Sequence, residues 1–224
     1  MDAMIFDFDG VIVDSEPTHF AAFARVLAGQ GIPLSREEYY RKYLGYDDHD
    51  CFLTVAQDHR KSVDEAAIAE MIAVKTRMIQ EAMGGSIQPQ PGAVELVRAA
   101  ELDAIPLAIC SGALQGEIEL ACRNLGLWES FMTVVSAQDV DRGKPDPQGF
   151  RLAMEQLCRL SGRVLMAPKT VVVEDSPAGI AAAKHLGMKV LAVTTSRDRT
   201  DLRQADMIVD SLADVTIAQL ESLT

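Results

Sequence analysis

Two aspartates, Asp7 and Asp9, stand two positions apart where the first apolar segment of the chain ends. The preceding residues, 3–6, are a short run of apolar side chains that predicts a buried strand. Residues i and i+2 of an extended chain point the same way, so the two carboxylates can face one pocket. Gly10 then permits a tight turn. Two carboxylates so close repel unless a cation lies between them or one keeps a proton. The pair is therefore typical of a divalent-metal site with a nucleophile and an acid/base. A chance D-x-D pattern at a strand end is the alternative, and this motif alone leaves it open.

A serine and a glycine follow a second apolar run, which spans residues 105–110. Ser111 and Gly112 come at its end and lead into a predicted helix. A hydroxyl and backbone N–H groups at the start of a helix can hold an anion, which favours a phosphate-binding role. A plain helix cap is the alternative for Ser111, and this motif taken alone favours the cap.

A lysine, Lys144, lies between turn residues after a third apolar run. Pro145 and Pro147 restrict the backbone beside it, so we expect its ammonium group to be held in place. The alternative is a solvated surface lysine, which is the usual position of this residue type.

Two acids, Glu174 and Asp175, directly follow the apolar residues 171–173. Burying carboxylates there costs free energy unless a cation compensates their charge. Mg²⁺ prefers oxygen ligands, usually one or two carboxylates with waters and a substrate phosphate. Because ligands of open α/β sheets bind at the carboxyl ends of the strands, the four motifs together predict a single site.

Strands that alternate with helices are needed to place these motifs at one edge. Five apolar segments are predicted strands: residues 3–6, 105–110, 131–135, 170–174 and 189–193. Four helices are predicted between them. The first begins after Pro91 and Gly92 and runs to about Leu102, and the second covers residues 114–125. The third has Pro147 as its first residue, and the fourth runs from the N-cap Ser176 to Gly187. This alternation predicts an α/β fold with a Rossmann-like parallel sheet.

Residues 17–86 break the alternation and are predicted to be helical only. Phe20, Phe23 and Leu27 form an apolar stripe at helical spacing, and residues 35–38 and 62–65 are capping-box patterns. Turn residues flank the block, at 14–17 and from 84 to 92. We therefore expect a helical cap domain over 17–86, inserted in a catalytic core made of 1–16 and 87–224. A rigid helical layer of one domain is the alternative.

Composition and charge limit the classes of function. The 224 residues are 48% hydrophobic and 24% charged, as in ordinary globular proteins. The net charge of −12 argues against nucleic-acid or anionic-membrane partners. No apolar run approaches the roughly 18 residues that span a bilayer, and the acidic N-terminus is not a secretion signal. Four cysteines without C-x-x-C spacing predict reduced thiols and a cytoplasmic location.

The four motifs, in this order, resemble those of the haloacid dehalogenase superfamily. The chain is similar over essentially its whole length to the branch of β-phosphoglucomutases and phosphoglycolate phosphatases, which carry a helical cap after the first strand. Asp7 corresponds to the nucleophile that forms an aspartyl-phosphate. Asp9 corresponds to the general acid/base, and true dehalogenases lack it. Lys144 corresponds to the lysine that neutralises the nucleophile and the phosphoryl oxygens.

The same resemblance implies which residues bind phosphate and metal. Ser111 and Gly112 correspond to the phosphate-binding hydroxyl and its neighbouring backbone. Asp175 corresponds to a direct Mg²⁺ ligand and Glu174 to a ligand or a supporting acid. Asp7 and the backbone carbonyl of Asp9 complete the implied set of metal ligands. The implied activity is Mg²⁺-dependent hydrolysis of a small phosphate monoester.

A sugar-phosphate mutase is the main alternative function. Mutases of this branch place a histidine near the position of His19, where it assists proton transfer at Asp9, and Lys75 lies on an apolar helix face. Both are candidate substrate-binding residues. An ordinary helix-surface histidine and a snorkelling lysine are the alternatives.

The segment after Gly45 favours the hydrolase. Residues 46–50 form an acidic loop in this interpretation, whereas the mutases carry an arginine there that binds a second phosphate.

A third possibility, a non-catalytic binder of phosphorylated ligands, is disfavoured because no motif residue is lost. We expect a small phosphorylated metabolite as substrate and a monomer or weak homo-oligomer.

Overall fold

The computed structural model describes residues 1–44, 46–83 and 87–224. Two compact units make up the chain: Met1–Asp14 together with Gln88–Thr224, here called the core unit, and Ser15–Ile87, here called the helical unit. Gly45 and the predicted connection at 84–86 lie outside the described residues. None of the described helices is long and apolar enough to cross a membrane.

All the strands in the described part of the chain belong to the core unit. They are β1 (Ala3–Phe6), β2 (Val13–Asp14), β3 (Gln88–Pro89), β4 (Leu107–Cys110), β5 (Thr133–Val135), β6 (Thr170–Glu174), β7 (Lys189–Val193) and β8 (Met207–Val209). Six of them form a parallel sheet in the order β5-β4-β1-β6-β7-β8, and β2 pairs with β3 in a short antiparallel ribbon. This confirms the predicted α/β fold class.

The central strand β1 lies between β4 and β6, with Phe6 paired to Ile109 on one side and Val173 on the other. Strands β1, β4 and β6 are buried throughout, which explains their continuous apolar runs. Sequence analysis missed β8, because this edge strand is only partly buried and polar residues flank it. Strands β4 and β5 each begin two residues later than predicted.

The helices of the described residues are α1 (Glu16–Gly29), α2 (Arg36–Lys42), α3 (Asp48–Asp58), α4 (Glu65–Met83), α5 (Ala93–Leu102), α6 (Gln115–Asn124), α7 (Gln148–Ser161), α8 (Pro177–His185) and α9 (Ile217–Glu221). Ser176 caps α8 as predicted, because its hydroxyl accepts from the N–H of Gly179. Pro147 is the N-cap of α7 and not its first residue: its carbonyl accepts the first helical bond, from Arg151.

The helical unit has its own apolar core, in which Phe23, Tyr39 and Phe52 pack together. Ser35 caps α2 as predicted. The predicted cap at Ser62 is wrong, since Asp64 accepts from the N–H of Ala67 and begins α4.

The predicted acidic loop is also wrong in part, because residues 48–50 already belong to α3. Asp47 is the N-cap of this helix, and its carboxylate accepts from the N–H of Asp50. Acidic side chains are favourable in the first turn of a helix, where the N–H groups are unpaired. The acids after Tyr46 therefore serve, at least in part, to begin a helix.

Candidate active site

The order of the strands brings three of the predicted motifs to neighbouring positions. Asp7 follows β1, Ser111 follows β4 and Asp175 follows β6, and β1 is the strand between the other two. The N–H of Asp7 donates to the carbonyl of Val173 at 2.9 Å, which extends the β1–β6 pairing to the site. Parallel strands that end together thus place these side chains on one edge.

Lys144 forms ion pairs with Asp7, which follows β1, and with Glu174 at the end of β6. Its Nζ lies 2.8 Å from Oδ1 of Asp7 and 2.6 Å from Oε1 of Glu174. The ammonium also lies 5.0 Å from the centre of the Phe150 ring, within cation–π range. Burial pulls the pKa of Lys144 down, but the two carboxylates outweigh this and raise it above its ordinary value. The lysine is therefore held and charged, unlike a solvated surface lysine.

Glu174 is fully buried and uses both of its oxygens. Oε1 accepts from Lys144, while Oε2 accepts from the N–H groups of Asp175 and Ser176 and from the Ser176 hydroxyl. A Cβ on Gly179 would overlap this carboxylate, so α8 approaches it closely only because a glycine stands there. Of the two roles expected for Glu174, these bonds favour the supporting acid that holds Lys144.

Two of the acidic side chains at this edge, Asp7 and Asp175, have raised pKa values and are costly to ionise. Burial raises the pKa of Asp7 to about 7; Lys144 opposes the rise, and Glu174 and Asp9 add to it. The pKa of Asp175 is also raised well above its ordinary value, first by burial and then by Asp7 and Glu174. Charge of this sign, held out of water, favours the binding of a cation.

The donor atoms fit a hard divalent cation. Asp7, Glu174 and Asp175 each offer an oxygen, and the three oxygens lie within 4.8 Å of one another. Within the described residues, Oδ1 of Asp9 is buried without a hydrogen-bond partner. A set of carboxylate oxygens matches the ligands that Mg²⁺ takes in proteins. Which of these residues are ligands stays a prediction.

Ser111 does not cap the following helix, which begins at Gln115 with Leu114 as its N-cap. The Ser111 hydroxyl instead accepts from the N–H of Ala113 at 3.1 Å within the preceding turn. Ser111, Gly112 and Lys144 are among the residues that line a pocket of about 430 Å³. Its volume is in the range of sites for small ligands. The proposed phosphate-binding residues thus border a cavity in the core unit.

Lys75 is buried in the helical unit, with 2% of its surface exposed. Its ammonium donates to Oδ1 of Asp48 at 2.7 Å, lies 3.0 Å from Nδ1 of His19 and sits 4.3 Å from the centre of the Phe23 ring. The snorkelling alternative is therefore wrong, because the charged end does not reach water. His19 and Lys75 belong to one polar cluster in an otherwise apolar core.

Sequence analysis missed two hydroxyl residues, Thr195 and Ser196, which follow β7. The Ser196 hydroxyl donates to Oδ2 of Asp175, and the Thr195 hydroxyl donates to the carbonyl of Gly10 at 2.6 Å. The rule that located the other motifs, polar residues at the end of a buried strand, would also have found these two.

The chain is similar to several known hydrolases. A family model described as haloacid dehalogenase-like hydrolase matches residues 4–193. Among curated proteins, the validoxylamine A 7′-phosphate phosphatase of Streptomyces hygroscopicus subsp. limoneus is 30% identical over 220 residues, 94% of each chain. The phosphorylated carbohydrates phosphatase of Thermotoga maritima is 31% identical over 191 residues, which cover 84% of this chain and 83% of that protein.

A solved structure is similar over nearly the whole chain. CbbY from Rhodobacter sphaeroides, crystallised in complex with phosphate, has a TM-score of 0.81, 26% identity and 99% coverage of both chains. The chain belongs to the haloacid dehalogenase-like hydrolases, which confirms the resemblance found from its motifs.

Proposed function

We propose that this hydrolase is a Mg²⁺-dependent phosphatase that cleaves a small phosphate monoester through an aspartyl-phosphate on Asp7. The observation that carries the proposal is the position of Lys144, which bridges Asp7 and Glu174 at the strand edge that also holds Ser111 and Asp175. Phosphatases among the relatives, which span most of this chain, support the same reaction class.

In the first step, an Oδ atom of Asp7 attacks phosphorus while the bond from phosphorus to the leaving oxygen breaks. A phosphate dianion repels a carboxylate, so cationic groups must offset that repulsion. Lys144 supplies one positive charge at Asp7, and Ser111 with the nearby backbone N–H groups donates to the phosphoryl oxygens. Mg²⁺ held by Asp7, the Asp9 carbonyl and Asp175, with Glu174 in reach, would neutralise the developing charge.

Asp9 acts in this proposal as the general acid and then as the general base. In its neutral form it gives a proton to the leaving alkoxide. The Asp9 carboxylate then takes a proton from water as the water oxygen attacks phosphorus. The bond between phosphorus and Asp7 breaks, inorganic phosphate leaves, and both aspartates return to their starting forms. Oδ1 of Asp9 supports this role, since it is buried and accepts no hydrogen bond from the part of the chain that the structure describes.

Substrate recognition is proposed to involve His19 and Lys75. The Lys75 ammonium is already paired with Asp48. The negative charge of Asp48 offsets that of the ammonium, so Lys75 attracts a second phosphate less strongly. This pairing favours a monophosphate over a sugar bisphosphate. That residues 17–86 act as a movable cap stays a prediction.

One observation keeps the mutase as a second candidate. Nδ1 of His19 lies 3.0 Å from Nζ of Lys75, so the two residues that resemble mutase residues are in contact.

The cellular location is a separate prediction. The four cysteines are free thiols, which supports a cytoplasmic location.

Release of inorganic phosphate from p-nitrophenyl phosphate tests the proposal. We expect release with Mg²⁺, its loss on chelation, and its abolition in Asp7→Asn, whose fold should survive. Retained turnover in Asp7→Asn would refute the nucleophile assignment.

Incubation with glucose 1-phosphate and a bisphosphate activator separates the hydrolase from the mutase: free phosphate indicates the hydrolase and glucose 6-phosphate indicates the mutase. No turnover with any ester would favour a non-catalytic binder.

A further inference from the structure

Two consecutive hydroxyl groups after β7 reach the acidic edge of the core unit. The Ser196 hydroxyl donates to Oδ2 of Asp175. The Thr195 hydroxyl donates to the carbonyl oxygen of Gly10 at 2.6 Å and lies 3.4 Å from Oδ2 of Asp175. One loop therefore binds both the end of β6 and the turn that follows β1.

The Asp175 carboxylate needs such support because its neighbours repel it. It is buried beside the carboxyl groups of Asp7 and Glu174. An unrestrained carboxylate in this position would turn away from the other two, since rotation about χ1 and χ2 is cheaper than close contact of like charges. A hydrogen bond at Oδ2 opposes that rotation and offsets part of the repulsion.

Gly10 shows how closely the two segments meet. Its φ is +72°, which favours glycine, and a Cβ there would overlap Oδ2 of Asp175 and come within 2.8 Å of the Ser196 hydroxyl oxygen. The turn after Asp9 is thus packed directly against the hydrogen-bonded pair. A side chain at position 10 would therefore displace the Asp175 carboxylate or the Ser196 hydroxyl.

We propose that Ser196 is a positioning residue of the metal site, fixing the Asp175 carboxylate, and that Thr195 supports it by holding the Gly10 carbonyl. The inference rests on the proposed function, because it needs Asp175 to be a metal ligand. Groups that orient a metal ligand through a hydrogen bond typically change metal affinity by about 10- to 100-fold when removed.

Calorimetric titration of the full chain with Mn²⁺, and again with Mg²⁺, tests the role of Ser196 without measuring catalysis. We expect Ser196→Ala to weaken binding about 10-fold or more. Ser196→Thr, which keeps the hydroxyl, should bind close to the wild type. Ser222→Ala is the matched control, because its hydroxyl donates to the Gln219 carbonyl in the C-terminal segment.

The outcomes separate this inference from the proposed function. A wild type that binds the ion and a Ser196→Ala variant that binds it equally well would overturn the role of Ser196 alone. A wild type that binds neither ion would overturn the metal site itself and the inference with it. If Ser196→Ala does not fold, Ser196→Cys replaces it, since a thiol fills similar space but donates weakly; wild-type affinity in that variant would also overturn the inference.

Discussion

The ammonium nitrogen of Lys144 lies 2.8 Å from Oδ1 of Asp7, although 137 positions (144 − 7) separate the two residues in the sequence. Glu174 holds the same ammonium from the other side at 2.6 Å. This arrangement keeps the positive charge of Lys144 beside the carboxyl group of the proposed nucleophile when no substrate is bound. It also explains how a chain of net charge −12 can present a local site for an anion.

Replacing Lys144 by methionine should lower kcat by about 100- to 1,000-fold, because the charge that offsets the repulsion between Asp7 and phosphate is lost. Steady-state phosphate release at saturating Mg²⁺ measures the change. Lys184→Met is a suitable control, since Lys184 forms an ion pair with Asp206 in the core unit. Equal activity of the two variants would show that Lys144 has no part in the reaction.

Binding of Mg²⁺ should weaken as the pH falls below about 7. Burial raises the pKa of Asp7 from 3.8 to about 7, so the folded chain keeps a proton between these values that the unfolded chain has lost. Without metal, the contribution of Asp7 to the free energy of unfolding therefore falls as the pH rises through that window. A metal ion must displace this proton, which is harder at low pH.

Thermal unfolding with and without Mg²⁺ measures this dependence. The rise in Tm on adding Mg²⁺ should be larger at pH 8 than at pH 6. Asp7→Asn, which has no proton to lose at that position, should show a smaller rise and a weaker pH dependence. Identical rises at both pH values in the wild type would contradict the linkage.

Changing Asp48 to asparagine should shift substrate preference toward doubly phosphorylated esters. The amide keeps an acceptor for the buried Lys75 but removes the charge that neutralises it. The ratio of kcat/KM for fructose 1,6-bisphosphate to that for glycerol 3-phosphate should rise several-fold. Asp50→Asn, another acid in the first turn of α3, is the control. An unchanged ratio would argue against an influence of the Lys75 charge on substrate recognition.

Gly179→Ala should destabilise the core unit by about 1–3 kcal/mol, because its Cβ would overlap the buried Glu174 carboxylate. Gly116→Ala, in helix α6, should instead stabilise the protein by up to about 1 kcal/mol. Apart from its own helix backbone and chain neighbours, no atom of the described residues lies within 4 Å of a Cβ added there. Urea unfolding of both variants gives the two free energies. The same sign for both would show that contact with Glu174 does not limit position 179.

Residues that end buried strands were the most predictable part of this molecule. Asp7, Ser111 and Asp175 each follow a run of apolar side chains, and parallel strands must end at a common edge. Local chemistry also located Ser35 and Ser176 as helix caps, because a cap bonds to an N–H only three residues away. It failed at Ser62, where Asp64 competed for the same helix start.

The amino-acid sequence alone determined the family, the residues that could do chemistry, and the order of five strands of the parallel sheet with the helices between them, because these depend on short-range pattern. It did not locate β2, β3 or β8. Only the tertiary structure decided how Glu174 divides its oxygens, that Ser196 binds Asp175, and that Lys75 is buried against Asp48. The contacts of Lys144 with Glu174, of Ser196 with Asp175 and of Lys75 with Asp48 each join residues that are at least 21 positions apart in the chain. A side chain's partners depend on packing and on the charges that burial brings together, and these exist only in the folded protein.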